Sequence, residues 1–229
     1  MSTVQTQTGA KRPFDVDAVF ERLRTAAARL RPAAIPDLKA QGHASPFEVL
    51  VASLISARTR DEDTVVLAKR LFARARTPEA MAALPEDEIA RRIDRATFPE
   101  PKARDIRRLS AEIVERHGGR VPDTMEGLTA FRGVGPKIAA LTLGHGFGVP
   151  AVSVDVHVHR VVNRWGHVAT RTPEQTMAAL EAKLPRPYWI EINALLVPFG
   201  KHVCTAMRPH CGTCPVLAWC RQVGVTERR

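Results

Sequence analysis

Residues 131–137, FRGVGPK, combine two glycines, a proline and a lysine in an order that suits phosphate binding and nucleophilic chemistry. Glycine enters a tight turn at low steric cost, and Pro136 suits the first position of a helix because no N–H is needed there. A tight turn that opens a helix presents free N–H groups and the positive dipole end to an anion. Lys137 follows at once, and its amine can serve as a nucleophile. The alternative is a lysine that only pairs with a phosphate.

Four cysteines lie close together near the end of the chain, with the spacing C-x6-C-x2-C-x5-C, at Cys204, Cys211, Cys214 and Cys220. They cannot form a disulfide framework that spans the fold, so a metal site in a reducing compartment fits better. Four thiolates suit either tetrahedral zinc or a [4Fe–4S] cluster. Zinc ribbons usually present two close pairs of cysteines, whereas only the middle two cysteines form such a pair here.

Asp155 is a third residue whose setting suggests chemistry. It lies in segment 152–158, where valines alternate with polar residues as in a half-buried strand. A helix that begins at Asp155 also fits, because apolar residues from Val158 to Trp165 then share one face. An aspartate in this position can cap the helix, and it can also stabilise a developing positive charge or assist proton transfer.

Together, the glycine turn with its lysine, the aspartate and the uneven cysteine spacing resemble the endonuclease III family of helix-hairpin-helix DNA glycosylases. The resemblance extends from about Phe14 to Cys220. It implies an all-α fold of two helical domains, with a helix-hairpin-helix motif and a C-terminal iron–sulfur cluster loop. It favours the helix at Asp155 over the strand, and it implies that the four cysteines hold a [4Fe–4S] cluster.

The resemblance also implies a bifunctional DNA glycosylase and AP lyase that removes oxidised pyrimidines from duplex DNA. Lys137 would attack the sugar C1′, expel the damaged base and form a Schiff base, after which the 3′ phosphate leaves by β-elimination. Asp155 would stabilise the oxocarbenium-like sugar and assist proton transfer. The threonine that usually follows this aspartate in the family is replaced by Val156, which changes the local hydrogen-bonding groups.

Two segments depart from the family pattern and bear on the lesion range and the preferred opposite base. Arg58 occupies the position of a glutamine that fills the gap left by the flipped nucleotide. The loop that usually offers a leucine wedge reads TFPE at residues 97–100, and Phe98 is the residue that can enter the base stack. In the alternatives, Arg58 turns outward to a phosphate, Asp61 or Glu62, and Phe98 caps the core of its own helix pair.

The remaining predicted DNA contacts come from the hairpin and from the cysteine loop. The hairpin amides would bind one phosphate, and cations beside the cysteines would meet others. These predicted contacts are Arg132, Gly133, Val134, Gly135, Lys201 and Arg208.

The charge of the chain agrees with a nucleic-acid partner, since the formal net charge at pH 7 is +10. No apolar run approaches the length of about 18 residues that a membrane-spanning helix needs. We therefore expect a monomer that binds double-stranded DNA carrying a damaged base or an abasic site, without membrane contact. A cytoplasmic, nucleoid-associated location follows from the same observations.

Helical periodicity dominates the chain, and the family resemblance suggests how its helices are grouped. We predict a six-helix barrel domain over residues 39–149 and an iron–sulfur domain formed by residues 13–38 and 150–229. Residues 1–12 are predicted to be a disordered tail whose Lys11 and Arg12 can touch a phosphate. An irregular linker is predicted over residues 31–44, and a loop over 97–101, because two prolines are unfavourable inside a helix.

Two other functions remain open. The first is a monofunctional glycosylase of the same fold, such as the adenine type that acts on A/G mismatches and lacks the hairpin lysine. The second is a non-catalytic DNA-binding protein whose iron–sulfur cluster senses redox changes. The presence of both Lys137 and Asp155 favours the bifunctional enzyme.

Overall fold

The computed structural model describes residues 11–229, and these residues form helices and connecting loops without any strand. The all-α prediction is therefore confirmed for this part of the chain. Short 3₁₀ turns occur at Arg186–Tyr188, Cys211–Thr213 and Leu217–Trp219, and a π-helical segment spans Thr142–Phe147. The α-helices are α1 (Val16–Ala27), α2 (Ala34–Ala40), α3 (Pro46–Ser56), α4 (Asp61–Phe72), α5 (Pro78–Ala82), α6 (Glu86–Arg92), α7 (Pro99–His117), α8 (Met125–Thr129), α9 (Pro136–Leu141), α10 (Val156–Trp165), α11 (Pro173–Lys183) and α12 (Glu191–His202).

Local capping explains where many of these helices begin and end. The Asp15 side chain accepts a hydrogen bond from the Ala18 N–H at the start of α1. Ser45 and Glu48 form a reciprocal capping box at the start of α3, with proline at the first helical position. Gly118 ends α7 in the left-handed conformation that glycine adopts most easily. Each cap satisfies backbone groups that a helix end leaves without an intrahelical partner.

Two predicted irregular segments are helical instead. Residues 34–40 form α2 within the predicted linker, and Ile35 and Leu38 on this helix are buried. Helix α7 begins at Pro99, inside the predicted loop, and its first turn also contains Pro101. The prediction was wrong in both places because proline is tolerated in the first turn of a helix. The backbone N–H groups of that turn have no intrahelical partner, so the N–H that proline lacks is not missed there.

The buried side chains form two separate clusters. The first cluster extends from Ile35 to Ala151 and includes the apolar faces of α2 to α9. The second combines α1 with residues 152–220, so the chain leaves and re-enters it. Ile35 and Leu38 belong to the first cluster, although the predicted domain border placed both residues in the second domain.

The beginning of the described chain is held against the cysteine-bearing end. The Lys11 ammonium donates to the Leu217 carbonyl oxygen at 3.0 Å, and the Arg12 N–H donates to the Ala218 oxygen at 2.9 Å. The Arg12 guanidinium also lies 5.5 Å from the ring centroid of Trp219. The predicted tail therefore does not include these two residues, and its residues 1–10 lie outside the described part of the chain.

Among residues 11–229, none of the helices combines the length and the apolar character that crossing a bilayer requires.

Candidate functional site

A cleft of about 530 Å³ lies between the two buried clusters and gathers several predicted site residues. Helix α9 of the first cluster contributes Lys137, and the start of α10 in the second contributes Asp155. Arg58, Gly135 and Lys201 also line this cleft. Lys137 and Asp155 therefore face the same space, although the helices that carry them pack into different buried clusters.

The two glycines of the turn before α9 differ in backbone conformation and in the space around them. Gly133 has φ +83°, and a Cβ there would lie 3.3 Å from the Asp105 carboxylate. Gly135 has an extended backbone, and a Cβ added to it would meet nothing within 4 Å. Only Gly133 thus adopts the positive φ that favours glycine, whereas Gly135 leaves room for a ligand to approach the backbone.

The other hairpin residues differ in their accessibility. Val134 is buried, and its N–H donates to the Phe131 carbonyl oxygen at 3.1 Å, so this amide stabilises the turn itself. The side chain of Arg132 is exposed, 3.4 Å from the Asp105 carboxylate. The preceding helix, α8, is capped by the Thr124 hydroxyl, which accepts a hydrogen bond from the Gly127 N–H at 3.1 Å.

Lys137 is half-buried in the first turn of α9, and its backbone is bonded to the chain segment that leads to Asp155. The Ser153 hydroxyl donates to the Lys137 carbonyl oxygen at 3.2 Å. The buried Asn193 amide of α12 donates to the Ser153 carbonyl oxygen at 3.3 Å. Beneath the cleft, these two bonds thus connect helix α9, helix α12 and the segment that precedes α10.

Asp155 is the N-cap of α10, as the helical alternative predicted. Its Oδ1 accepts hydrogen bonds from the N–H groups of His157 and Val158, both at 2.9 Å. Among residues 11–229, no group donates to Oδ2, so this oxygen remains available to the cleft. Val156, which replaces the family's threonine, is 64% exposed and leaves both capping bonds in place.

His157 is a neutral, oriented side chain beside the cleft. Its Nδ1 accepts a hydrogen bond from the Arg160 guanidinium at 3.1 Å, which leaves a proton for Nε2. Burial lowers the pKa of His157, the carboxylate of Asp155 opposes this shift, and the cations of Arg160 and Lys201 add to it. His159 bonds to the Thr176 hydroxyl at 2.6 Å. Both histidines are thus held by hydrogen bonds to neighbouring side chains.

Two cations that were predicted to meet DNA phosphates have carboxylate partners. The Lys201 ammonium forms an ion pair with Asp61 across the cleft, between α12 and α4. Arg208 lies 3.6 Å from Glu227. The Arg208 pair is exposed on both sides, so water and a phosphate can compete for it at little cost. The Lys201 pair is more buried and bridges the two clusters, a role that the sequence did not suggest.

Arg58 and Phe98 are both exposed residues with positive φ, at +58° and +57°. The alternative carboxylate partners of Arg58 are directed to other cations. Asp61 pairs with Lys201, and Glu62 lies 3.8 Å from Arg31. Within residues 11–229 the Arg58 guanidinium forms no ion pair. The Phe98 side chain is 60% exposed, so it does not cap a core.

The four cysteine side chains line one cavity beside Trp165 and Phe199, and none of them is in a disulfide. Burial raises the pKa of Cys214 to about 12 and that of Cys220 to about 11. The Gln222 N–H points to the Cys220 sulfur at 3.4 Å, and Arg164 points to the Cys204 sulfur at 3.5 Å. No group of three or more His, Cys, Asp or Glu side chains in residues 11–229 is arranged to hold a single metal ion.

Two arginines of α10 connect the cleft with the cysteine loop. Arg160 donates to the carbonyl oxygens of Gly200 and Cys204 at 2.8 and 3.1 Å. Arg164 donates to the carbonyl oxygens of Thr205 and Ala206, both at 2.6 Å. Sequence reasoning missed these contacts because their partners lie about 40 residues away along the chain, and no local pattern indicates them.

With this geometry established, comparison with known proteins identifies the family. A model of HhH-GPD superfamily base excision DNA repair proteins matches residues 51–186. Endonuclease III of Thermotoga maritima is 43% identical over 169 residues, which cover 74% of this chain and 79% of that protein. This chain belongs to the endonuclease III family. Arg58, Phe98, Lys137 and Asp155 lie inside the region that the superfamily model matches, and the four cysteines lie beyond it.

Two solved endonuclease III structures share this architecture. A non-covalent endonuclease III–DNA complex has a TM-score of 0.79 and 30% sequence identity, and covers 90% of this chain and 94% of that one. A trapped endonuclease III–DNA covalent intermediate, an estranged-adenine complex, has a TM-score of 0.75 and 29% identity. Its match covers 91% of this chain and 97% of the other. The endonuclease III fold thus accounts for nearly the whole chain.

Proposed function

We propose that this member of the endonuclease III family is a bifunctional DNA glycosylase and AP lyase of base excision repair. The observation that carries the proposal is the presence of Lys137 and Asp155 in one cleft, each contributed by a different helical cluster. An amine and a carboxylate around one sugar supply a nucleophile and a group that stabilises positive charge. The trapped covalent DNA intermediate of a related endonuclease III agrees with covalent chemistry at this site.

The reaction follows from these two groups. The Lys137 amine attacks the sugar C1′, the bond from C1′ to the damaged base breaks, and the base leaves with the bonding electrons and takes up a proton. The bond between C1′ and the ring oxygen then breaks, this oxygen takes up a proton from the amine, and a Schiff base remains between Lys137 and C1′ of the opened sugar. This imine acidifies a C2′ proton, and its removal expels the 3′ phosphate by β-elimination. Asp155 Oδ2 stabilises the positive charge that develops on the sugar and receives or returns protons.

We infer that oxidised pyrimidines in duplex DNA are the substrates, with preformed abasic sites as substrates for the lyase step. The amides around Gly135 are suited to one backbone phosphate because the space above this residue is open. Exposed Arg132 and Arg208 can exchange their carboxylate partners for phosphates, and the net charge of +10 attracts the duplex. Lys201 supports the site through Asp61 instead of meeting a phosphate. Monomeric action in the cytoplasm, on nucleoid DNA, belongs to the same proposal.

We propose that Cys204, Cys211, Cys214 and Cys220 hold a [4Fe–4S] cluster, which is supported by their lining one cavity. Thiolates in a site this buried require compensating charge, and N–H groups that point to sulfur are a common way in which proteins tune such clusters. Each cysteine of a cluster binds a different iron, so its ligands need not converge on a single ion as those of zinc do. We expect the cluster to supply structural support to loop 205–210.

Borohydride trapping tests the proposed function. Duplexes that contain thymine glycol or an abasic site are incubated with the protein and reducing agent, and a covalent adduct on both substrates is expected. Lys137→Ala should remove the adduct and strand cleavage without abolishing DNA binding, because the Gly133–Gly135 backbone is unchanged. Lys69→Ala is a suitable control, since Lys69 is an exposed amine that bonds to Gln41 outside the cleft.

The remaining outcomes separate the alternatives. An adduct only with the abasic site would reduce the protein to a lyase. Base release without any adduct would indicate a monofunctional glycosylase, and neither activity would leave a non-catalytic DNA-binding protein. A persistent adduct in Lys137→Ala would show that another amine is the nucleophile.

A further inference from the structure

Lys102, on α7, has an ammonium group that is fully used inside the protein. Its Nζ donates to the carbonyl oxygens of Ile55 and Ala57, both at 2.7 Å, and to the Thr59 hydroxyl at 2.9 Å. Three donors therefore meet three acceptors, and no N–H of this amine is left for DNA. All three acceptors flank Arg58, at the end of α3 and in the loop that follows it.

A second set of bonds joins the same loop to the residue before Phe98. The Thr97 hydroxyl donates to the Arg58 carbonyl oxygen at 2.8 Å. The Thr97 N–H donates to the Thr59 hydroxyl oxygen at 3.2 Å. This oxygen thus accepts from both Lys102 and Thr97, which uses both of its lone pairs. The two loops form one hydrogen-bonded unit with the Lys102 ammonium at its centre.

The backbone conformations of the two exposed residues require such support. Arg58 and Phe98 have φ of +58° and +57°, in the left-handed region that is unfavourable for residues with large side chains. Conformations of this kind persist when the surrounding structure holds them, and they concentrate at functional sites. The bonds of Thr97 lie directly beside both residues. Helix α7 begins immediately after Phe98, and Lys102 is on its first turns.

The burial of the Lys102 ammonium group and its position at the end of α3 distinguish it from an ordinary surface lysine. Burial lowers the pKa of Lys102 to about 8, so the folded protein carries a cost for a cation in this position. The carbonyl oxygens of Ile55 and Ala57 lie at the C-terminal end of α3, where the helix dipole favours a positive charge. A lysine that only capped α3 would satisfy these oxygens without any consequence for Phe98. The shared Thr59 hydroxyl provides the connection between the two loops.

We propose that Lys102 is a positioning residue that fixes Arg58 and Phe98 as one unit, so that both side chains enter the base stack at a set spacing. The inference rests on the proposed function, because the role that we give to Arg58 and Phe98 is contact with the DNA around the lesion. Lys102 acts through the Thr59–Thr97 bonds and does not touch the substrate. The consequence is energetic coupling between two side chains that are contributed by different loops.

A double-mutant cycle measures this coupling without requiring catalysis. Arg58→Ala, Phe98→Ala and the double variant are compared for binding to a duplex that carries a tetrahydrofuran abasic analogue opposite 2-aminopurine. Fluorescence of the 2-aminopurine reports unstacking of the opposite base directly. In the otherwise unchanged protein, the two effects on binding should be non-additive by roughly fivefold or more. In the Lys102→Met background they should become additive within about twofold.

Matched variants separate positioning from a general loss of stability. Arg108→Met removes an exposed cation from the same helix, where it bonds to Glu112, and should leave the coupling intact. Thr97→Val removes only the hydroxyl bond to Arg58 and should reduce the coupling, whereas Thr97→Ser should retain it. The Thr97 pair also provides the test if Lys102→Met does not fold.

Additive effects in the otherwise unchanged protein, or full coupling in a folded Lys102→Met variant, would overturn the proposal. If Lys102→Met does not fold, full coupling in Thr97→Val would overturn it. Failure of the proposed function would be seen separately, as the absence of a borohydride adduct in the unchanged protein that still binds the analogue duplex. A protein that does not bind this duplex at all would refute the positioning role as well.

Discussion

The Ser153 hydroxyl donates to the carbonyl oxygen of Lys137 at 3.2 Å, which joins the segment that carries Asp155 to the helix that carries the lysine. Ile138, next to Lys137, belongs to the first buried cluster, whereas Val152 and Val154, on either side of Ser153, belong to the second, so this bond crosses the border between them. Ser153 is itself buried and its carbonyl oxygen accepts from Asn193. One small buried polar side chain beneath the cleft therefore joins the two segments that carry the amine and the carboxylate.

Removing this hydroxyl should reduce catalysis more than its cost in stability explains. Ser153→Ala should lower the free energy of unfolding by about 1 kcal/mol, because a typical hydrogen bond contributes about that much. Single-turnover cleavage of an abasic duplex should slow by roughly tenfold, since small displacements of reacting groups reduce rates strongly. DNA affinity should remain within about twofold, because the hairpin amides are unchanged.

Ser110→Ala provides the matched control for Ser153→Ala. Ser110 is also buried, and its hydroxyl donates to the Ile106 carbonyl oxygen within α7 at 2.7 Å, outside the cleft lining. This variant should lose similar stability and keep the full cleavage rate. Equal rates for the two variants would remove Ser153 from the set of positioning residues.

Asp155 combines a capping role with a proposed catalytic role, and two substitutions can separate them. Asparagine caps helices about as well as aspartate, so Asp155→Asn should have little effect on thermal stability. It should slow base excision by roughly 10²–10³-fold, as expected when a charge-stabilising group is lost. Asp155→Ala should lose the rate to a similar extent and, in addition, about 1 kcal/mol of stability.

Rates and melting temperatures of these two variants decide between the roles. If Asp155→Asn retained most of its excision rate while Asp155→Ala was slow and unstable, Asp155 would be only a helix cap.

The four cysteines should bind iron and sulfide, and the purified protein should be brown. Metal analysis should find iron together with acid-labile sulfide, since the cysteine cavity and its N–H···S contacts suit a cluster. One zinc per chain without iron would contradict this assignment. Cys211→Ala should lose solubility or DNA binding before any specific catalytic defect appears, because the proposed cluster supports a loop and takes no part in the reaction.

Most of this architecture could be predicted from sequence because its signals are local. Caps such as Asp15 and Ser45, and the ambiguity at Asp155, involve residues within a few positions of one another. The helical period defined the apolar faces, and the order of glycine, proline and lysine indicated the hairpin. Prolines were misread at α2 and α7, since the same residue that breaks a helix interior is accommodated in its first turn.

The contacts that assemble the site could not be predicted in this way. Lys102 meets acceptors more than 40 residues earlier in the chain, and the bond between Lys201 and Asp61 spans 140 positions. No period or short motif contains information about such pairs, because they depend on how the two clusters pack. The contacts of Arg160 and Arg164 with the cysteine loop have the same non-local origin.

Arg58 should determine which base is preferred opposite the lesion. Its side chain is exposed at the edge of the cleft, and in residues 11–229 no carboxylate forms an ion pair with it, so it is free to enter the gap in the duplex. Arginine presents only hydrogen-bond donors, whereas glutamine presents one donor group and one acceptor. Guanine offers its O6 as an acceptor, while the pairing edge of adenine combines a donor and an acceptor. Lesions opposite guanine should therefore be processed faster than lesions opposite adenine.

The contrast between Arg58→Gln and the unchanged protein tests this preference. One directional contact discriminates by about 1–3 kcal/mol, which corresponds to a rate ratio of roughly 5 to 150 between the two duplexes. In Arg58→Gln the ratio should fall toward one, because an amide can pair with either base. If Arg58 instead binds a backbone phosphate, both rates should drop together and the ratio should stay unchanged. That result would exclude a role in reading the opposite base and leave Arg58 as a sequence-independent DNA contact.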